Sequence, residues 1–157
     1  MPNLDDVYRK FGETAEAAQL LETQLGTMLL LVRGAEENLI GEPNPERASD
    51  LYDHINRRTL GQLLKGLKST NQSLEALDAL LSNALSERNR LFHSYYRHHN
   101  FRRNSDQGRV LMLKDLECIH DVLLRAYKAV MLLDGVDLDA LADTAIAHEL
   151  PTQRLPI

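Results

Sequence analysis

The segment Met112–Leu133, MLKDLECIHDVLLRAYKAVMLL, decides the fold class. Met112, Leu116, Ile119, Leu123, Ala126, Val130 and Leu133 recur at spacings that alternate between four and three, with polar residues between them. A helix turns once in about 3.6 residues, so this spacing gathers all seven on one face, whereas a strand would need alternation by twos. Asp134-Gly135 supplies the stop, because glycine readily takes the left-handed backbone that ends helices.

The same period recurs on either side of this segment. Near the N-terminus Val7, Phe11, Ala18, Leu21, Leu25, Met28 and Val32 predict a first helix. It ends between Gly34 and Gly41, where GEPNPE forms a polar, proline-interrupted loop. A second helix is expected from about Ser49 to Lys68, weakened by Gly61 and Gly66. It is open to a break near Arg58, since Thr59 and Gln62 have capping-box spacing. A third starts near Asn71, its stripe running through Leu74, Leu77, Leu81, Leu85, Arg88, Phe92 and Tyr95. A polar loop around Asn104–Gly108 leads into the Met112–Leu133 helix. A short helix from about Leu138 to His148 and a tail interrupted by Pro151 and Pro156 follow. The expected fold is all-α: an antiparallel up-down four-helix bundle with a short C-terminal fifth helix. One domain would cover residues 1–150, with a flexible C-terminal tail over 151–157. The stripes of the first and fourth helices are read as facing the bundle core; a dimer interface is the other reading they allow.

Composition agrees with one helical core. The 157 residues suit a single domain, and Trp is absent. With a net charge of −5 the chain as a whole does not attract nucleic acid, so any such contact must be local. A lone cysteine, Cys118, builds no internal disulfide framework and fits a reducing cytoplasm. The first residues, MPNLDDVYRKFG, lack a signal-peptide core, and the longest apolar run, Met28–Val32, is far too short to span a bilayer. A cytoplasmic protein without a membrane partner is expected.

Against this acidic background, Arg88–Arg103 reads RNRLFHSYYRHHNFRR: five arginines, three histidines, four aromatics and no acid. Arg88 occupies a stripe position that calls for leucine. A charge there must reach water or meet a partner. Asn89, His93 and Tyr96 lie one turn apart on a neighbouring face, and Arg88 is about 140° from His93 around an ideal helix. Histidine moves protons near neutral pH, and arginine forks onto phosphate oxygens and stabilises charge developing there. Because RNA carries its own nucleophile, the 2′-hydroxyl, such a pair could cleave it without a metal. Tyr95, Tyr96, Arg97, Phe101, Arg102 and Arg103 would suit stacking and phosphate contacts with a single strand. The plainer reading is a basic helix end that meets the negative pole of its own dipole, with Phe92 and Tyr95 as core.

The pattern Arg88-Asn89-x3-His93 on the third helix of a small helical domain resembles the HEPN superfamily, whose hallmark is an arginine and a histidine separated by four to six residues, often with Asn after the arginine. The resemblance implies a dimerising four-helix bundle with a composite ribonuclease site. His93 would be the acid–base group, Arg88 the transition-state stabiliser and Asn89 a positioning residue. Tyr95 also matches the variant motif of HEPN toxins paired with small nucleotidyltransferases, in which the tyrosine is adenylylated. That implies modification at Tyr95 and an antitoxin or nucleotidyltransferase partner. The expected function is a metal-independent endoribonuclease acting on single-stranded RNA in a toxin or defence role, as a homodimer and without a cofactor. The alternative is a non-catalytic HEPN-like module that binds RNA, a nucleotide or a protein.

Other clusters carry less. His98-His99 with His93 lacks helical ligand spacing and a nearby carboxylate, so these histidines are expected to be solvated in a loop rather than to hold a metal. Arg47 to His54 has no polar residue behind the arginine and no basic sequel. Cys118 adjoins the apolar stripe and is expected to be a core thiol, with His120 on the opposite side. His148 has no constellation around it. Asp134, Asp137, Asp139 and Asp143 lack the spacing of a calcium loop and are expected to cap helices or face solvent.

Overall fold

Asn3 opens the first helix with a reciprocal cap. Its side chain accepts from the Asp6 amide at 2.9 Å, and the Asp6 carboxylate accepts from the Asn3 amide at 2.9 Å. The computed structural model describes residues 1–68 and 76–142, and among these the regular structure is entirely helical. The helices are α1 (Leu4–Glu36), α2 (Pro45–Asn56), α3 (Leu60–Lys68), α4 (Asp78–His99), α5 (Asp106–Leu133) and α6 (Leu138–Ala142). A 3-10 turn, Asn100–Asn104, joins α4 to α5. The expected helix start near Asn71, Leu74, residues 143–148 of the expected fifth helix and the tail 151–157 lie outside the described residues.

The expected second helix is two. Its chain turns at Arg57–Thr59, and the reciprocal Thr59–Gln62 cap starts α3, with the Thr59 amide donating to the Gln62 side chain at 2.9 Å and the Gln62 amide to Thr59 Oγ1 at 3.4 Å. That extra reversal changes the parity of the fold. Arg47 pairs with Glu37, and Ile55 packs at Gly26, so α2 runs back along α1. Gly66 meets Leu29, Gly61 meets Leu85 and Lys68 pairs with Asp78, so α3 follows α1 and α4 opposes α3. Arg88 reaches Glu22 while Tyr95 reaches Phe11, which sets α4 against α1.

The longest helices, α1 and α5, consequently run in the same direction. The Arg109 Nε donates to the Pro2 carbonyl at 2.8 Å, the Thr14 hydroxyl approaches the Leu116 carbonyl at 3.5 Å, and Gln24 meets Asp134. Four alternating elements would have set them antiparallel; five alternating elements set them parallel.

The core lies mainly between α1 and α5, closed by α3 and α4. Val7, Ala18, Leu21, Leu25 and Leu29 of α1 are fully buried against Met112, Leu116, Ile119, Leu123, Ala126 and Val130 of α5. Of the seven stripe residues in Met112–Leu133, Leu133 alone is exposed, beside the Asp134-Gly135 stop, where Gly135 takes φ +82°. No helix among the described residues is long and apolar enough to cross a membrane.

A tight junction fixes the 3-10 turn on α5. Ser105 caps α5 by accepting from the Gly108 amide at 3.1 Å, and Gly108 lies flat against the turn. A Cβ at Gly108 would fall 2.0 Å from the Arg102 carbonyl oxygen. Gly108→Ala should therefore destabilise the fold by about 1–3 kcal/mol or more, because backbone must move. Gly12→Ala, in α1 with nothing near the added methyl, should stabilise it by about 0.5–1 kcal/mol. Urea unfolding of the two variants beside the parent checks the opposite signs.

Candidate functional site

Helix α4 presents a buried stripe of Leu81, Ala84, Leu91, Tyr95 and His99, and Arg88 falls within it. Leu91 rather than Phe92 fills the next stripe position; Phe92 is 41% exposed. The Arg88 side chain, 19% exposed, has its partner on α1: Nε donates to Glu22 Oε1 at 2.7 Å. Arg88 Nη1 donates to the Asn89 side-chain oxygen at 3.3 Å, and the guanidinium sits 5.0 Å from the Phe92 ring centre. The leucine position thus holds a charge that is neutralised by a facing carboxylate and backed by an aromatic face. Arg88 and Asn89 are brought together. Asn89 and His93 are both exposed on α4, and the His93 side chain makes no hydrogen bond or ion pair among the described residues.

Tyr95 departs from the expected role. It is 1% exposed, and its hydroxyl donates to the Met112 carbonyl at 2.9 Å. Burial, reinforced by the Asp115 charge, holds the phenol well above its ordinary value. A hydroxyl so placed contacts neither substrate nor a modifying enzyme; Tyr95 is a core residue that pins α4 to α5. Tyr96, 39% exposed, packs on Phe11 with ring centres 5.5 Å apart. Burial, with Tyr8 adding to it, raises its phenol too. Arg103 Nη2 donates to the Tyr8 hydroxyl at 3.2 Å, and Arg97 is exposed. Tyr8, Phe11, Tyr96 and Arg103 form one aromatic and basic corner where α1 begins and α4 ends. Tyr8 and Phe11 were not expected there, because sequence spacing cannot show which residues of a remote helix will meet α4.

His99 also corrects an expectation. It is 2% exposed rather than solvated, and its Nε2 lies 2.8 Å from Asp115 Oδ2. Arg102 Nη1 lies 3.2 Å from His99 Nδ1. A guanidinium only donates, so Nδ1 accepts, and Nε2 carries the proton donated to Asp115. Arg90 grips the same carboxylate with two bonds, at 2.7 and 2.9 Å, and also bonds Glu87. Burial acts to raise the Asp115 pKa, but the hydrogen bonds from Arg90 and His99 and the charge of Arg90 outweigh it and hold the carboxyl below its usual value. Sequence reading missed this clamp because Asp115 follows the arginine-rich stretch on a different helix.

Elsewhere, Cys118 is exposed, not a core thiol. It stands two residues beyond Leu116, off the buried face. His120 is half-buried, and burial lowers its pKa. Arg47 pairs with Glu37, and His54 bonds Arg58 at 2.9 Å. Comparison of the chain with models of known protein families, with curated proteins and with solved structures gave no match.

Two outcomes test these contacts. Arg88→Leu should change stability by less than about 1 kcal/mol, because it removes a charge from a leucine position, whereas Glu22→Leu should cost about 1–3 kcal/mol by stranding Arg88. Asp115 has a depressed folded pKa, so its contribution is complete above the ordinary carboxylate value and disappears as pH falls through the folded one. Unfolding midpoints from pH 7 down to pH 2 should therefore converge for the parent and Asp115→Asn, the parent being more stable only at the upper end.

Proposed function

We propose that this chain is an HEPN-like protein that dimerises and cleaves single-stranded RNA without a metal. In this reading α1, α3, α4 and α5 are the four members of the bundle, and α2 packs along α1 beside them. The observation that carries the reading is the placement of Arg88: an arginine in a core position, bonded to the following Asn89, with His93 exposed a little further along the same helix. Within the dimer, His93 of one protomer removes the proton from the ribose 2′-hydroxyl. The oxygen attacks the adjacent phosphorus, Arg88 stabilises the charge on the non-bridging oxygens, and a second histidine, from the other protomer, protonates the departing 5′-oxygen. The products are a 2′,3′-cyclic phosphate and a 5′-hydroxyl. Tyr96, Arg97, Arg102 and Arg103 supply stacking and phosphate contacts for the strand. The resemblance further suggests a cytoplasmic toxin or defence role with an antitoxin or nucleotidyltransferase partner.

A specific observation supports a second reading, a non-catalytic module that binds RNA, a nucleotide or a protein. Glu22 already neutralises Arg88, so a phosphate must displace that carboxylate before the arginine can serve it.

Incubation of the purified protein with mixed single-stranded RNA in EDTA separates the two. The catalytic reading expects fragments that end in cyclic phosphate, lost by at least about 100-fold in His93→Ala, since general acid–base catalysis contributes about that much or more. Equal background in both proteins, with RNA binding lost in Arg88→Ala, establishes the binding module instead. Light scattering must show a dimer at micromolar concentration for the composite site to stand.

A further inference from the structure

Basic side chains in this chain are outnumbered by acidic ones, 18 to 23, and in the described helices most have found a carboxylate. Arg9, Lys10, Arg33, Arg47, Lys68, Arg88, Arg90, Arg109 and Lys128 all do so. With acid in surplus, cations left without one are informative where they cluster. Besides the corner at the end of α4, they cluster in the elbow between α2 and α3. Arg57, Arg58 and Lys65 there make no ion pair with a carboxylate among the described residues.

These three side chains line a single open groove of about 610 Å³ together with His54, Gln62 and Gly66, and no acidic residue lines it. Its size is that of a small-molecule site. The groove is built rather than incidental. Arg58 Nη2 donates to His54 Nε2 at 2.9 Å, which fixes the guanidinium on the α2 side. Its Nη1 lies 3.2 Å from where a Gly66 Cβ would stand, so the bare backbone of α3 lets the arginine lie across the helix. The glycine that weakens α3 in the sequence thereby makes room for a cation. Gln62 adds an amide beside the charges, and Arg57 and Lys65 are exposed around the groove.

We infer that the α2–α3 elbow is a second anion site, one that takes the diphosphate group of a small ligand through Arg57, Arg58 and Lys65. Three cations match the charge of a diphosphate, and arginine forks onto its oxygens in pairs. A small ligand is favoured over a nucleic-acid strand by what adjoins the groove. The neighbouring depression shares His54 and Arg58, but there Glu37 and Asp50 stand beside Arg33 and Arg47, with Glu37 paired to Arg47, so the unpaired positive charge of the elbow does not continue on that side as a track for an extended polyanion. The site shares no residue with Arg88, Asn89 and His93 and stands independently of the ribonuclease reading.

The test is calorimetric titration of the full chain at low salt with inorganic pyrophosphate, ADP and a six-nucleotide RNA. Pyrophosphate and ADP are expected to bind one per chain. In Arg57→Ala/Lys65→Ala each should weaken by about tenfold or more, the usual consequence of removing charge-assisted bonds. Those side chains are exposed, so an unchanged thermal unfolding midpoint shows that the variant is folded. His93→Ala should leave this binding untouched. If neither pyrophosphate nor ADP binds at millimolar concentration, or if both bind the double variant as tightly as the parent, the site is wrong. RNA binding that is lost in the double variant while pyrophosphate is inert overturns the small-ligand assignment in favour of a strand.

Discussion

The Asp115 carboxylate is the fixed point between α4 and α5. Arg90 holds it with two bonds, and His99, one turn before the chain reverses, holds it with a third. Tyr95 adds a bond from between them to the Met112 carbonyl. Buried polar groups specify one arrangement more sharply than apolar ones, because a slip by one residue leaves several of them unbonded in a low dielectric. The rotation of α4 about its axis follows from these contacts. With Tyr95 and His99 turned inward, Arg88 must face α1, and Glu22 must be there to meet it. The candidate site is thus positioned by a network that takes no part in its proposed chemistry.

Much of the fold was legible because the apolar period is strong where the helices are long. The Met112–Leu133 stripe is buried but for its last member, and the α1 stripe is buried along most of its length. The Thr59–Gln62 cap was legible as spacing, yet its weight was not. A local cap competes with helix propensity across the break, and the break observed leaves Leu60 and Leu63 buried. That one decision turns four alternating elements into five and sets α1 and α5 parallel, so a small local ambiguity has a global result.

The site was legible in a different measure. Arg88 stood out because a charge interrupts an apolar pattern, and the need for a partner followed from desolvation alone. That the partner is Glu22 could not follow, since nothing in a helical pattern says which turn of a remote helix lies opposite. His99 was misplaced for a related reason, and Tyr95 lies in the core, where its stripe position and the plainer reading had it, not in the ligand-contacting role. Aromatic and imidazole side chains suit both a wet surface and a bonded interior, and only the presence of the Met112 carbonyl and Asp115 decides between them.

The close approach at Gly108 bears on how the arginine-rich turn would meet the ligand that the proposed function gives it. The turn's backbone is pressed onto the first turn of α5, Arg109 ties it to the Pro2 carbonyl and to the carbonyl of Arg103, and Arg103 leans on Tyr8. The backbone that carries its charges is therefore anchored by these contacts before anything binds. A ligand that fits the turn sacrifices little conformational entropy in the protein, and one that does not fit finds no pliable loop to close over it. Under the proposed function, selectivity at this end of the molecule would rest on matching shape rather than on folding around a guest.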